Sequence, residues 1–164
     1  DANKLASDWL RDNPKDMAVR MYLAGEAIST KDMAGAEKLY QSIIQIQPDN
    51  AIAYNNLAWV TGQLKKDGAV AYAEKALALV PTQPAYMDTL AMLLMDKNDF
   101  AKALEWQNKA VSLQPANGLY RLNLAKILIK SGDKEQARKA LDEVAKLGDK
   151  FNGQAQVAEL RKSL

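Results

Sequence analysis

The chain has 164 residues, of which 48% are hydrophobic and 26% charged, as in one ordinary globular domain. Its 22 basic and 20 acidic side chains are mixed along the sequence, and this balance argues against a nucleic-acid partner. The absence of cysteine and histidine excludes disulfides, Cys/His zinc sites and histidine-based catalysis.

The first predicted element is an amphipathic helix within residues 1–13. Its apolar residues Leu5, Ala6, Trp9 and Leu10 recur with the spacing of one helix face. The pattern begins at the very start of the sequence, so we expect the chain to be part of a longer protein. We interpret this helix as the second helix of a truncated repeat that precedes the four described next.

Four repeats follow the first helix, because five columns of similar residues share a spacing of 33 or 34 residues. The columns are Pro14, Pro48, Pro81 and Pro115; Leu23-Ala24, Leu57-Ala58, Leu90-Ala91 and Leu124-Ala125; Ala36, Ala69, Ala103 and Ala137; Ile43, Ala76, Ala110 and Val144; and Ile46, Leu79, Leu113 and Leu147. Their agreement predicts repeats at 17–50, 51–83, 84–117 and 118–149. One interval in each column is 33 residues instead of 34, and the missing residue lies between Ala58 and Ala69.

Each repeat is predicted to contain two helices joined by a polar turn, because apolar residues recur at helical spacing on both sides of it. Asp32, Asp99 and Asp133 precede second helices, where a carboxylate can accept from the free N–H groups of the first turn. A proline closes each second helix, since the residue before proline avoids the α conformation. Pro84 and Asn117 suit the start of the following first helix.

The 34-residue period, the aromatic-x-x-Leu-Ala motif at 54–58, the spaced alanines at 69–76 and the closing prolines resemble the tetratricopeptide repeat (TPR) family over residues 14–149. The resemblance implies an all-α fold. It would be a right-handed superhelical solenoid of antiparallel helix hairpins, with about four repeats plus flanking helices. We expect 150–164 to form a C-terminal capping helix. Positions that depart from the aromatic pattern of the family are Arg20, Met87, Gln107, Arg121 and Leu141.

TPR arrays bind proteins or peptides in a concave groove lined by the first helix of each repeat. The resemblance therefore implies a non-enzymatic binding scaffold that needs no cofactor and no metal. The peptide-binding residues that it implies are Met21, Tyr22, Asn55, Asn56, Trp59, Asp88, Thr89, Met92, Asn123 and Lys126, with Gly25, Ile28, Ile52, Met95, Leu122 and Ile129 beside them.

Alternative roles stay open for several of these side chains. The asparagines can bond a neighbouring helix instead of a ligand, and the methionines and Trp59 can fill the core. Trp106 on a second helix is either a half-buried packing residue or part of a second partner surface. An enzyme is disfavoured, because Asp88 and Asp96 are the only carboxylates expected to face the groove. Along one helix they lie about 12 Å apart, too far for a glycosidase pair.

A narrower similarity concerns 55–59, 73–79 and 87–90, which look like the C-terminal part of bacterial TPR lipoproteins associated with exopolysaccharide and the PEP-CTERM sorting system. It implies an alternative function in polysaccharide assembly or export, or in protein sorting, with glycan or export machinery as partner. It also favours the bacterial cell envelope or periplasm over the cytoplasm. No apolar run reaches the roughly 20 residues that span a bilayer, so we expect no membrane contact. We expect a monomer, with dimerisation through the N-terminal edge as the alternative.

Overall fold

The computed structural model describes residues 2–164, and all of the regular structure in that range is helical. The α-helices are α1 (Ala2–Asp12), α2 (Met17–Ser29), α3 (Met33–Ile46), α4 (Ala51–Gln63), α5 (Ala69–Leu79), α6 (Pro84–Asp96), α7 (Phe100–Leu113), α8 (Gly118–Ser131), α9 (Lys134–Ala145) and α10 (Gln154–Lys162). A 3-10 turn, Gly148–Lys150, precedes α10. The prediction of an all-α fold built from helix hairpins is confirmed.

The two helices of each hairpin meet at buried alanines. The columns found in the sequence supply alanines with no exposed surface, namely Ala24, Ala36, Ala58, Ala76, Ala91, Ala103, Ala110, Ala125 and Ala137. Side chains this small let two helix axes approach to about 8–10 Å. The helices that pack in this way are consecutive: α2 with α3, α4 with α5, α6 with α7, and α8 with α9.

The chain divides into two compact units, Asp1–Pro81 and Thr82–Leu164. In the first unit α1 to α5 pack in succession, around a core formed by Ala24, Ala36, Tyr40, Ile43, Ala53, Leu57 and Val60. In the second unit α6 to α10 pack in succession, and α6 also contacts α8. A cluster under its last helices contains Leu122, Ala125, Leu141, Val144 and Val157. The bounds of the four repeats stay predictions.

Side-chain caps begin the second helices where the sequence predicts them. The backbone N–H groups of Gly35, Lys102 and Gln136 donate to the carboxylates of Asp32, Asp99 and Asp133 at 2.9, 3.3 and 3.1 Å. Helix α5 is the exception, since its N-cap is Gly68 and it has 11 residues where α3 has 14. Lys66 stands where the other repeats have the capping aspartate, because its N–H returns to Thr61 as the N–H of Asp32 returns to Ala27. The missing residue of the second repeat lies between Lys66 and the start of α5.

A residue with left-handed backbone ends the first helix of every hairpin. These residues are Lys31, Lys65, Asn98 and Gly132, with φ values of 63°, 54°, 61° and 89°. The N–H that follows each one returns to a carbonyl five residues earlier in the chain, as from Asp133 to Leu128 at 3.0 Å. This is the Schellman arrangement, in which glycine is favoured because a Cβ atom is strained there.

We therefore expect Lys65→Gly to raise the free energy of unfolding by about 0.5–1 kcal/mol, because relief of left-handed strain exceeds the entropic cost of glycine. Chemical denaturation measures the change. The matched control is Lys75→Gly on α5, an exposed residue inside a regular helix. The free energy of unfolding of Lys75→Gly is expected to be lower than that of the wild type by about 1 kcal/mol. A loss of stability in both variants would contradict the prediction.

The C-terminal helix is shorter than the sequence predicts. Phe151 has extended backbone (φ −128°, ψ 111°), and α10 begins at Gln154 instead of near residue 150. The ring of Phe151 packs, together with Leu160, against the cluster of the second unit, to which the buried Val157 of α10 belongs. In residues 2–164 no helix combines the length and the hydropathy needed to cross a membrane.

Candidate binding surfaces

One face of α4 carries a stripe of side chains that begins close to the N-cap of the helix. Asn50 fixes this start, because its side chain accepts from the N–H of Ala53 at 2.9 Å. Ile52 and Trp59 are 56% and 39% exposed although both are large and apolar. Between them on the same face lie Asn55 and Asn56, as the spacing i, i+3, i+4, i+7 requires. We call these four residues the α4 stripe.

The two asparagines of the α4 stripe form a relay into the core of the first unit. The Asn55 amide donates to Asn56 Oδ1 at 3.4 Å, and the Asn56 amide donates to the Tyr40 hydroxyl at 3.2 Å. Burial raises the pKa of Tyr40, although the bond from Asn56 opposes that shift, so the phenol is neutral at physiological pH. Asn55 Oδ1 has no hydrogen-bond partner within residues 2–164. The relay thus orients both carboxamides and leaves Asn55 Oδ1 buried without a hydrogen bond from this part of the chain.

Helix α2 contributes less than the sequence predicts. Tyr22 is exposed, but its hydroxyl donates to Asn3 Oδ1 at 3.2 Å. Gly25 is also exposed, and a Cβ atom there would meet no other atom within 4 Å. Met21 and Ile28 are partly buried and pack against the core of the first unit. Both side chains thus contribute to packing in the first unit, and their place in a binding groove stays a prediction.

In the second unit the predicted residues of α6 and α8 form one polar cluster. The Asp88 carboxylate accepts from Asn123 Nδ2 at 2.9 and 3.1 Å and from Gln107 Nε2 at 2.7 Å. Gln107 also donates to the carbonyl of Tyr120 at 2.8 Å. The Lys126 ammonium donates to Asn123 Oδ1 at 3.3 Å. We call Asp88, Gln107, Asn123 and Lys126 the Asp88 cluster.

Burial controls the charges of the Asp88 cluster. It raises the pKa of Asp88, and the hydrogen bonds from Asn123 and Gln107 and the charge of Lys126 only partly offset this. Burial likewise lowers the pKa of Lys126, against the influence of Asp88. Both groups therefore hold their charge less firmly than exposed side chains do. Gln107 Oε1 is buried and has no hydrogen-bond partner in the described chain.

The other predicted groove residues of the second unit are mostly committed to the fold. Met95 and Leu122 are 6% and 1% exposed, so the expectation that they line an accessible groove is wrong. They are buried because their positions on α6 and α8 face neighbouring helices. Thr89 donates to the carbonyl of Ala85, four residues earlier in its own helix. Met92 is half-buried, and Ile129 packs against the cluster of the last helices.

Sequence reasoning missed Tyr40 and Gln107 as members of these surfaces. Both occupy the aromatic column of the second helix, where Gln107 was recognised only as a departure from the family pattern. A buried glutamine opposite an aspartate on the preceding helix was the available signal. Within residues 2–164, no group of three or more acidic side chains is placed to hold a metal ion.

Two family models, both described as tetratricopeptide repeat, match residues 62–118 and 94–164. Together they span more than half of the chain. A comparison with curated proteins found no significant match. The similarity to PEP-CTERM-associated lipoproteins stays a prediction.

Solved structures with the same arrangement of helices are numerous. MamA from Desulfovibrio magneticus RS-1 aligns with a TM-score of 0.81 and 18% identity, over 92% of this chain and 86% of that chain. A thermophilic TPR protein of Thermus thermophilus gives 0.80 and 15%, over 97% and 88%. YrrB, described as a TPR protein with an unusual peptide-binding site, gives 0.78 and 15%, over 99% and 82%. At these identities the likeness concerns the fold alone.

Proposed function

The chain belongs to the tetratricopeptide repeat family, and from this premise we propose that it is a non-enzymatic scaffold that binds a segment of a partner protein without a cofactor. The outward faces of the first helices, α2 and α4 in one unit and α6 and α8 in the other, would form the contact surfaces. The observation that carries the proposal is the α4 stripe. It exposes two large apolar side chains on either side of two oriented carboxamides.

The geometry of the α4 stripe suits an extended peptide. Ile52 and Trp59 are seven residues apart, or about 10 Å along the helix axis. Three residues of a peptide in the polyproline II conformation span roughly the same distance, and every third side chain of that conformation lies on the same side. Side chains at positions i and i+3 of a peptide can therefore contact Ile52 and Trp59 together. Asn55 and Asn56 lie between these contacts, and the remaining N–H of each carboxamide can donate to a carbonyl of the peptide main chain, whereas Asn55 Oδ1 is buried and does not take part.

Unequal shares of the binding energy are expected from the two units. The polar groups of the Asp88 cluster already bond one another, and Lys130 pairs with Asp96 at 3.2 Å. A ligand must replace such bonds and gains little from them. Trp59 has no competing hydrogen bond on its indole N–H within the described residues, and a partly exposed tryptophan is a frequent hot spot. We therefore assign the main anchor to the first unit and an orienting charge to Lys126.

The test is affinity capture from a lysate of the source organism with three immobilised proteins, the wild type, Trp59→Ala and Trp106→Ala. Trp106 is the matched control, because it lies on the second helix α7 with the Lys109 ammonium 4.3 Å from its ring centre. We expect a protein that the wild type and Trp106→Ala retain and Trp59→Ala loses, at equal melting temperatures. A synthetic segment of that protein should then bind the α4 stripe and shift its NMR signals.

Identical capture by all three proteins would remove the α4 stripe from the proposal. Loss of capture in Trp106→Ala alone would move the binding surface to the second helices. Capture of nothing by the wild type would count against the scaffold function itself.

A further inference from the structure

A groove of about 1030 Å³ lies in the second unit between α7 and α9, above α8. Its floor is apolar and includes Leu104, Leu124 and Ala140, all of which are partly exposed. None of the residues in the Asp88 cluster lines it. This groove, which we call the α7–α9 groove, is therefore a surface separate from those of the proposed function.

The rim of the α7–α9 groove is predominantly cationic. Four cations, Arg121, Lys139, Lys146 and Arg161, face two acids, Asp142 and Glu143. Three of the cations form ion pairs on the surface of the protein, each with both side chains at least 45% exposed. Exposed pairs of this kind contribute about 0–1 kcal/mol each. Carboxylates of a partner can therefore replace the resident ones, including Glu135 on Lys139, at little cost. Arg121 forms no ion pair within residues 2–164, and the positive charge that it adds favours an acidic partner.

Arg121 is the best-prepared group on this rim. Its Nε donates to the carbonyl of Pro115 at 2.6 Å, which orients the half-buried side chain. Its two terminal nitrogens have no hydrogen-bond partner within residues 2–164. Arg20 has the same position in the first repeat and also donates to a proline carbonyl, but its Nη1 is occupied by Ser42 Oγ at 3.0 Å. Of these two arginines, Arg121 is the one whose guanidinium is both held in place and ready for a carboxylate, which two parallel N–H groups bind strongly.

We propose that the α7–α9 groove binds an acidic amphipathic segment of a partner protein. An aspartate or glutamate of that segment pairs with Arg121, and leucine-like side chains contact Leu104 and Leu124. The apolar floor distinguishes this partner from a nucleic acid, which would need a denser row of cations. The site does not depend on the α4 stripe, so either surface can function without the other.

The experiment selects peptides from a random display library on the wild-type protein, then measures the affinity of the enriched peptides for variants. We expect enriched sequences that combine Asp or Glu with Leu or Ile. Their affinity falls about tenfold or more in Arg121→Gln, because a charged pair is lost. It is unchanged in Arg20→Gln, the matched arginine of the first unit, and in Trp59→Ala. Replacing the acids of the peptide by their amides has the same effect as Arg121→Gln.

Lys146→Glu provides a second variant if Arg121→Gln fails to fold, because the Lys146 side chain is 70% exposed. Equal affinity for the wild type and both rim variants would overturn the proposal. The proposal would also be overturned if every enriched peptide lost its binding in Trp59→Ala. Such peptides would bind the α4 stripe, and the proposed function would still hold. Failure to enrich any peptide, or preferential binding of single-stranded DNA at the rim, would overturn it as well.

Discussion

Replacing Asp88 by alanine is expected to lower the free energy of unfolding by about 2–4 kcal/mol. The carboxylate is the acceptor for Gln107, which has no exposed surface, and for Asn123, which is 6% exposed. The substitution leaves both buried amides without this acceptor, and each unsatisfied donor costs about 1–3 kcal/mol. Urea denaturation of the two proteins under the same conditions measures the loss.

The matched control for this prediction is Asp96→Ala, on the same helix. Asp96 is exposed and, within residues 2–164, pairs only with Lys130 on the surface, so its loss is expected to lower the free energy of unfolding by less than about 1 kcal/mol. Equal stability of the two variants would show that the Asp88 cluster contributes no more than an exposed ion pair. The effect of Asp88→Ala on the free energy of unfolding can also be measured in a variant that lacks Gln107. An equal loss in both backgrounds would show that the two residues act independently.

The raised pKa of Asp88 also gives this cluster a pH signature. Between 3.8, the usual pKa of aspartate, and the higher value in the folded state, the folded protein binds more protons than the unfolded chain. The free energy of unfolding therefore falls as the pH rises through that window, and above the window the loss is complete. Asp88→Asn cannot titrate, so the stability difference between it and the wild type is expected to change with pH only across this window. A constant difference from acid to neutral pH would contradict the assignment of the shift to Asp88.

The fold was predictable because its determinants are local and repeated. Ala103, which has no exposed surface, belongs to a column of alanines that recurs every 33 or 34 residues in the sequence. Asp133 caps the helix that immediately follows it. The Asp88 cluster depends instead on Gln107 and Asn123, which lie 19 and 35 positions after Asp88 in the sequence. Their contact requires α6, α7 and α8 to be already packed. Periodicity predicts which face each residue occupies but not which polar groups satisfy one another.

The α7–α9 groove escaped sequence reasoning for a related reason. Arg121 differed from other charged residues only as a departure from the aromatic pattern of the family, and nothing in the one-dimensional pattern distinguishes Lys146 from Lys134. The distinction comes from the proline carbonyl that binds one edge of the Arg121 guanidinium and from the leucines beneath it. Trp59 shows the opposite case. The family resemblance placed it on the groove side of its helix, with core packing as the alternative, and its side chain is 39% exposed.

Gly118→Ala, which adds a single methyl group, is expected to lower the free energy of unfolding by about 1–3 kcal/mol. A Cβ atom there would lie 2.5 and 2.6 Å from Cδ2 and Cγ of Phe151 and 3.0 Å from Leu147. The Cγ atom is close to the backbone of Phe151, so the ring cannot avoid the methyl by rotation alone. The loop before α10 must shift, and with it the contact of Phe151 with the cluster of the last helices.

The control for Gly118→Ala is the same substitution at Gly25, inside α2, where the new Cβ meets no other atom within 4 Å. Gly25→Ala is expected to stabilise the protein by about 0.5–1 kcal/mol, because alanine loses less backbone entropy in a helix. A double-mutant cycle isolates the steric cause. In a Phe151→Ala background the methyl at position 118 has room, so the penalty for Gly118→Ala should disappear. Persistence of the full penalty in that background would place its origin in the first turn of α8 instead of at the ring of Phe151.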